Sequence, residues 1–243
     1  YWIDYLAKNK YFSFLIDEKY DGNKLSVNEL SNILTEISSV NPALGVSAMV
    51  PNSLGPGELI SLYGTYFQKE HYLPKLANGA YIPCFGLTGP NNGSDATGSI
   101  DKGEVFLDQN GKIKIRVNLN KRYITLAPVS NLIRLAFELQ DNNELLDSRK
   151  SGITVALIER GHEGLKQDYY HNPLDTGFPN GTVQGTIVID PSGNIVASAK
   201  QEEKILICDI DFKKVENARR HWPFFRDRRI DYYKGILNNP RDA

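Results

Sequence analysis

An α+β protein is predicted by three features of the 243-residue sequence. Up to residue 80, apolar residues recur at helical spacing behind helix-start signals. From 81 to about 190 they alternate at strand spacing between turn signals, and after 190 the character changes again. Helices first and strands afterwards predict segregated layers: a helical lobe at 1–80, an antiparallel β lobe at 81–190 with a cleft between the two, and a short strand–helix tail at 191–243.

The helical part opens with Trp2, Tyr5 and Leu6 on one face, followed by Tyr11–Ile16 as a short buried segment and a turn at Asp21-Gly22-Asn23. Ser26 and Glu29 are spaced as a capping box, each side chain satisfying a helix-start N–H of the other. Behind it Leu30, Ile33, Leu34 and Ile37 form the buried face. Asn41-Pro42 interrupts, Ala43–Val50 suits close helix packing, and residues 51–57 read as a loop into a short helix that Gly64 stops. Thr65 and Gln68 repeat the capping-box pattern; Leu73-Pro74 and Asn78-Gly79 close that element.

A strand is predicted at Tyr81–Thr88. Glu104–Asp108 and Lys112–Val117 flank Asn110-Gly111, a pair suited to the two positive-φ positions of a type I′ hairpin turn. Further strands are expected at Tyr123–Ala127, Leu132–Glu138, Ile153–Glu159 and Val183–Ile189, with Asp141–Lys150 as a polar excursion. In the tail, Ile205–Ile210 is a strand, Asp211 caps a helix that Pro223 ends, and Arg226–Tyr233 is a run of mixed charges.

A formal net charge of −1 with interspersed signs excludes a nucleic-acid footprint. Cys84 and Cys208 sit apart in apolar runs, so buried free thiols are expected; His71, His162, His171 and His221 share no ligand spacing. No apolar run approaches the ~20 residues of a membrane span. Tyr1-Trp2-Ile3-Asp4 lacks a basic n-region and an initiator Met, so a fragment without a signal peptide is expected. A cytoplasmic setting follows, with association at a membrane surface left open.

Near the start of the β lobe lies Pro83–Asp95, an apolar run that ends at the Thr88 hydroxyl and breaks into a Gly/Pro/Asn loop carrying Ser94. Such a loop can bring backbone N–H groups and small hydroxyls against a flat or phosphorylated ligand. Taken alone, Thr88 and Ser94 are equally a strand-end and a turn hydroxyl, and Tyr123 and Thr125 are ordinary strand formers.

Four segments in order resemble the acyl-CoA dehydrogenase family, in its bacterial long-chain form, over roughly residues 1–190. Tyr63–Gly79 is similar to the family's YGT..QK..YLP.LA.G helix-turn, Leu87–Asp95 to its LTEP.AGSD loop, Lys121–Thr125 to its K.WIT element, and Gly152–Glu159 to its GIT.FLV strand; Phe178–Gly181 matches the long-chain branch. The resemblance implies an FAD between helical and β lobes. Thr88 would donate to the flavin ring, Ser94 would lie by the pyrophosphate and the thioester entrance, Tyr123 would flank the isoalloxazine and Thr125 would reach its reactive edge. It also implies a fatty acyl-CoA substrate, an electron-transfer acceptor as partner, and α,β-dehydrogenation as in fatty acid β-oxidation. Gly89 replaces the acidic residue of the common loop, and Tyr123 its Trp. The family's Glu base belongs to a C-terminal helical lobe, so no catalytic residue is assigned.

Residues from about 186 resemble instead the end of a carbon–nitrogen hydrolase of the nitrilase superfamily, through Val188–Ala197, Glu203–Asp211 and Arg219–Arg229. That family's Glu, Lys and Cys are not matched, and Cys208 falls on the strand after them. The tail therefore reads as a scaffold or homo-oligomer contact. A non-catalytic chimera joined near residue 190, or an amide or nitrile hydrolase fragment, stands as the alternative.

Overall fold

A computed structural model describes residues 2–95, 98, 100–146, 152–175 and 177–190. The tail expected at 191–243, with Cys208, His221 and the Arg226–Tyr233 run, lies outside the described residues.

Five helices come first: α1 (Trp2–Lys8), α2 (Val27–Val40), α3 (Pro42–Ser53), α4 (Pro56–Tyr63) and α5 (Tyr66–Ala77). Both capping boxes form. Ser26 Oγ accepts from the Glu29 N–H while the Glu29 carboxylate accepts from the Ser26 N–H, and Thr65 and Gln68 do the same at α5. Two expectations change. The buried face of α1 is Ile3, Leu6 and Ala7, and Trp2 and Tyr5 are exposed, because the helix packs through its other side onto the sheet core. Helix α3 also runs on through Pro51 to Ser53, where a loop was expected. The buried Asn52 amide secures that last turn, accepting from the Phe14 N–H and donating to Tyr11 O and Ala48 O. At Gly79 the chain turns with φ +76°, and an added Cβ would fall 2.6 Å from the Ala7 backbone.

Among the described residues eight strands follow: β1 (Pro83–Gly86), β2 (Lys102–Leu107), β3 (Ile113–Thr125), β4 (Leu132–Gln140), β5 (Gly152–Glu159), β6 (Leu165–Lys166), β7 (Tyr170–His171) and β8 (Asn180–Ile189). They form one sheet in the order β1-β4-β2-β3-β8-β6, with β5 on β4 and β7 on β8. The sheet is mixed and not, as the sequence suggested, antiparallel throughout: β1 and β2 both run parallel to β4. The hairpin reverses the chain after β2, and the hydrogen-bonded turn at Leu126–Ser130 reverses it again, so β4 regains the direction of β2.

The hairpin turn also differs in kind. Of Asn110 and Gly111, only Gly111 has positive φ, at +71°. The Asp108 carboxylate accepts from the N–H groups of Asn110 and Lys112, which favours a type I turn closed by a glycine bulge over the type I′ form. Residues 123–125 continue β3 and do not start a new strand.

The main core lies on the inward face of the strands, around Val105, Val117, Ile133, Leu135, Phe137, Val183 and Ile187, with α1 against it. A second cluster joins Ile60, Tyr72, Leu73 and Leu76 to Leu132. Arg134, 4% exposed, reaches from β4 to donate to Leu54 O and Gly55 O, the C-cap of α3 and the N-cap of α4, and its guanidinium lies 4.2 Å over the Phe85 ring. Tyr81 OH donates to Glu159 at 2.6 Å, tying the exit of α5 to β5. These links seat β1, and so the loop that leaves it.

Candidate functional site

Strand β1 ends at Gly86, two residues earlier than the sequence suggested, because the next carbonyl is taken by side chains. Leu87 O accepts from Lys121 Nζ at 3.0 Å and from Asn92 Nδ2 at 3.1 Å. The loop then folds back on itself, with the Gly89 N–H donating to Asn92 O. A Cβ on Gly89 would stand 2.9 Å from Asn120 O and from Asn92 Oδ1, which gives a steric reason for glycine where the family pattern has an acid.

Thr88 is locked to the neighbouring strand in both directions. Its hydroxyl donates to Arg122 O at 3.0 Å, and the Arg122 N–H donates to Thr88 O at 3.1 Å. The Thr88 proton is thus engaged; donating it to a ligand requires the hydroxyl to release Arg122 O. Arg122 also donates to Pro90 O, holding the loop from above.

The register of β3 against β8 shifts between Lys121 and Ile124, a β-bulge. At the bulge Tyr123 takes φ +57°, a left-handed backbone that costs a bulky residue energy and marks functional positions more often than chance. The shift turns its ring outward, 55% exposed, onto the His171 imidazole at a centroid distance of 4.4 Å and 31° between planes. The Tyr123 N–H donates to His171 Nδ1 at 3.3 Å.

Thr125, half-buried, is the register partner of Asn180 on β8. Asn180 and Thr182 are 4% and 6% exposed, and among the described residues Asn180 Oδ1 and Thr182 Oγ1 have no hydrogen-bond partner. A buried polar atom left unpaired costs roughly 1–3 kcal/mol, so two on one strand beside the bulge are groups suited to a ligand. Thr182 lines an open cavity of about 560 Å³ with Asn120, Arg122, Tyr169, His171 and Gln184, and with Asp168 at its side.

The structure therefore brings Thr88, Tyr123 and Thr125 to one region through the Arg122 linkage and the end of β3. Ser94 is exposed in the loop beyond the Gly89–Asn92 turn. Sequence reasoning missed Lys121, His171 and Thr182 as members of this region. Lys121 carried a signal: it falls on the inward phase of Ile115, Val117 and Leu119, where a charge is out of place. His171 carried none, because only the pairing of the two-residue β7 with β8 brings it to Tyr123. Cys84 is a core residue whose thiol burial pushes up to about 12, as its apolar run suggested. Among the described residues no cluster of three or more His, Cys, Asp or Glu could hold a metal ion, and no helix is long and apolar enough to cross a membrane.

The fold is that of the acyl-CoA dehydrogenases. Solved structures of an acyl-CoA dehydrogenase from Geobacillus kaustophilus (22% identity, TM-score 0.63) and of one from Bacillus anthracis complexed with FAD (18%, 0.65) each match 79% of this chain, over 48% and 31% of theirs. Residues 2–80 match the family model described as the acyl-CoA dehydrogenase N-terminal domain. Among curated proteins, the chain is 28% identical over 201 residues to mitochondrial isovaleryl-CoA dehydrogenase of Pongo abelii, covering 81% of this chain and 45% of that one. It is 30% identical over 160 residues to an acyl-CoA dehydrogenase of Bacillus subtilis, covering 66% and 39%. The chain thus spans less than half the length of the curated relatives it matches.

Proposed function

We propose that this chain is the flavin-side portion of an FAD-dependent acyl-CoA dehydrogenase, acting on the Cα–Cβ bond of a fatty acyl-CoA thioester and passing electrons to a separate acceptor. The reading is carried by one observation: two buried, unpartnered polar groups, Asn180 Oδ1 and Thr182 Oγ1, stand beside Thr125 and the strained Tyr123 bulge. Kinship with acyl-CoA dehydrogenases supports FAD as the group they would meet.

FAD, when bound, supplies a two-electron acceptor for hydride leaving the carbon β to the thioester. The residues here would do the rest of what this portion can do. The Thr88 and Thr125 hydroxyls would hold the ring by hydrogen bonds placed where negative charge develops on reduction. The Tyr123 ring, backed by His171, would cover one face and exclude water. Ser94 would serve the polar end of the cofactor and the thioester entrance. No residue of this chain is assigned as the base that removes the α-proton; that group would come from another part of the protein.

Thr182→Val tests the reading. Replacing an unpartnered buried hydroxyl by a methyl should leave the free protein as stable as wild type or more so. With saturating FAD, the variant should gain less thermal stability than wild type. A variant that is destabilised without FAD and stabilised equally by it would show that the hydroxyl serves the fold and not a ligand.

A further inference from the structure

Lys121 has no exposed surface at all. Its stem passes over Gly86, the last residue of β1, close enough that a Cβ there would meet Lys121 Cγ at 3.7 Å. Its ammonium then meets Asp101 at 3.1 Å and donates to Leu87 O at 3.0 Å. The same Asp101 oxygen accepts from the Asn120 N–H. Burial holds the Lys121 amine below its ordinary value, against the pull of Asp101.

A buried ion pair is a poor way to gain stability, since a well-packed apolar pair of the same volume usually does at least as well. What an apolar pair cannot do is fix a carbonyl in place. Lys121 fixes Leu87 O, the atom immediately before Thr88, while its own backbone lies immediately before Arg122, the residue that exchanges hydrogen bonds with Thr88. Asn92 Nδ2 donates to the same carbonyl from within the loop, but of the two donors only Lys121 ties it to the strand that carries the bulge.

We propose that Lys121, with Asp101, is a positioning residue of the flavin site: it pins Leu87 O so that the Thr88 hydroxyl and the Tyr123 bulge are held for the flavin, without touching it. The proposal rests on the flavin reading above.

The test uses the full chain carrying Lys121→Met with Asp101→Asn, a neutral pair that keeps an acceptor for the Asn120 amide. The variant should unfold cooperatively near the wild-type temperature, bind FAD about tenfold more weakly or worse, a loss that matches about 1.4 kcal/mol, and show faster hydrogen exchange at the Arg122 amide. Adding Thr88→Val should weaken binding no further, because the pin acts through Thr88. Wild-type FAD affinity in the neutral-pair variant, or a Thr88→Val loss that multiplies with it, overturns the positioning role and leaves the flavin reading standing. A wild-type chain that takes up no FAD overturns both. Should the neutral pair fail to fold, Lys121→Met alone, which removes the same pin, is read by the same criteria.

Discussion

Replacing Arg134 with Met should loosen the seat of β1. The guanidinium is 4% exposed, donates to Leu54 O at 3.2 Å and to Gly55 O at 3.4 Å, and covers the Phe85 ring. Burial comes first among the causes that push its pKa down to about 10, partly offset by Glu58. From an ordinary value of 12.5, that net fall corresponds to about 3 kcal/mol against the charged form. Against it stand two charge-assisted hydrogen bonds at roughly 1.5–3 kcal/mol each and a cation–π contact at about 1–2 kcal/mol. The net gain is about 2 kcal/mol, and the two carbonyls left behind at the α3–α4 junction add about 1 kcal/mol more. Met fills the channel without replacing a donor, so Arg134→Met should cost about 3 kcal/mol. At roughly 2–4 °C per kcal/mol for a chain of this size, the melting temperature should fall by about 6–12 °C. Calorimetry or denaturant unfolding reads this directly. A variant melting within about 1 °C of wild type would refute the reasoning, showing that burial of the charge cancels all that it binds.

Other substitutions test other links. Burial keeps the Cys84 thiol protonated up to about 12, above its ordinary value of 9.0, so between those values the folded state holds a proton that the unfolded state has released. Stability from this group is therefore intact below pH 9 and is lost as pH rises, by up to about 1.4 kcal/mol per unit. Cys84→Ala should remove that part of the alkaline slope, seen as the wild-type-minus-variant difference in denaturant unfolding from pH 8 to 11; parallel curves would contradict it. Gly79→Ala must adopt φ +76° and place a methyl 2.6 Å from the Ala7 backbone. It should cost about 1–3 kcal/mol in thermal unfolding, and a neutral result would mean that α1 and the end of α5 do not pack as described.

What could be read in the sequence was what is decided locally. The Ser26 and Thr65 capping boxes need only residues three apart, and both form. The family resemblance picks out Thr88, Ser94, Tyr123 and Thr125; the first lies bonded to Arg122 beside the last two at the end of β3, while Ser94 stands exposed in the loop. Decisions between distant segments were not legible. The parallel pairing of β1 and β2 with β4 depends on two reversals, the second set by the Leu126–Ser130 turn. The Asp108 carboxylate overrode a hairpin rule by offering the backbone a nearer acceptor. His171 and Thr182 enter the site only through β7 and β8, and nothing about them in one dimension points to Tyr123.

The central claim, that this chain holds FAD against the Thr88–Tyr123–Thr125 region, is tested most directly by titrating the purified full chain with FAD. The visible flavin spectrum and the melting temperature would be followed together. The account predicts saturable uptake at one site, a shifted flavin absorbance, and a stabilisation that approaches about 2.7 kcal/mol at a hundredfold excess over Kd. A chain that stays colourless after desalting and melts at the same temperature with and without FAD would contradict it.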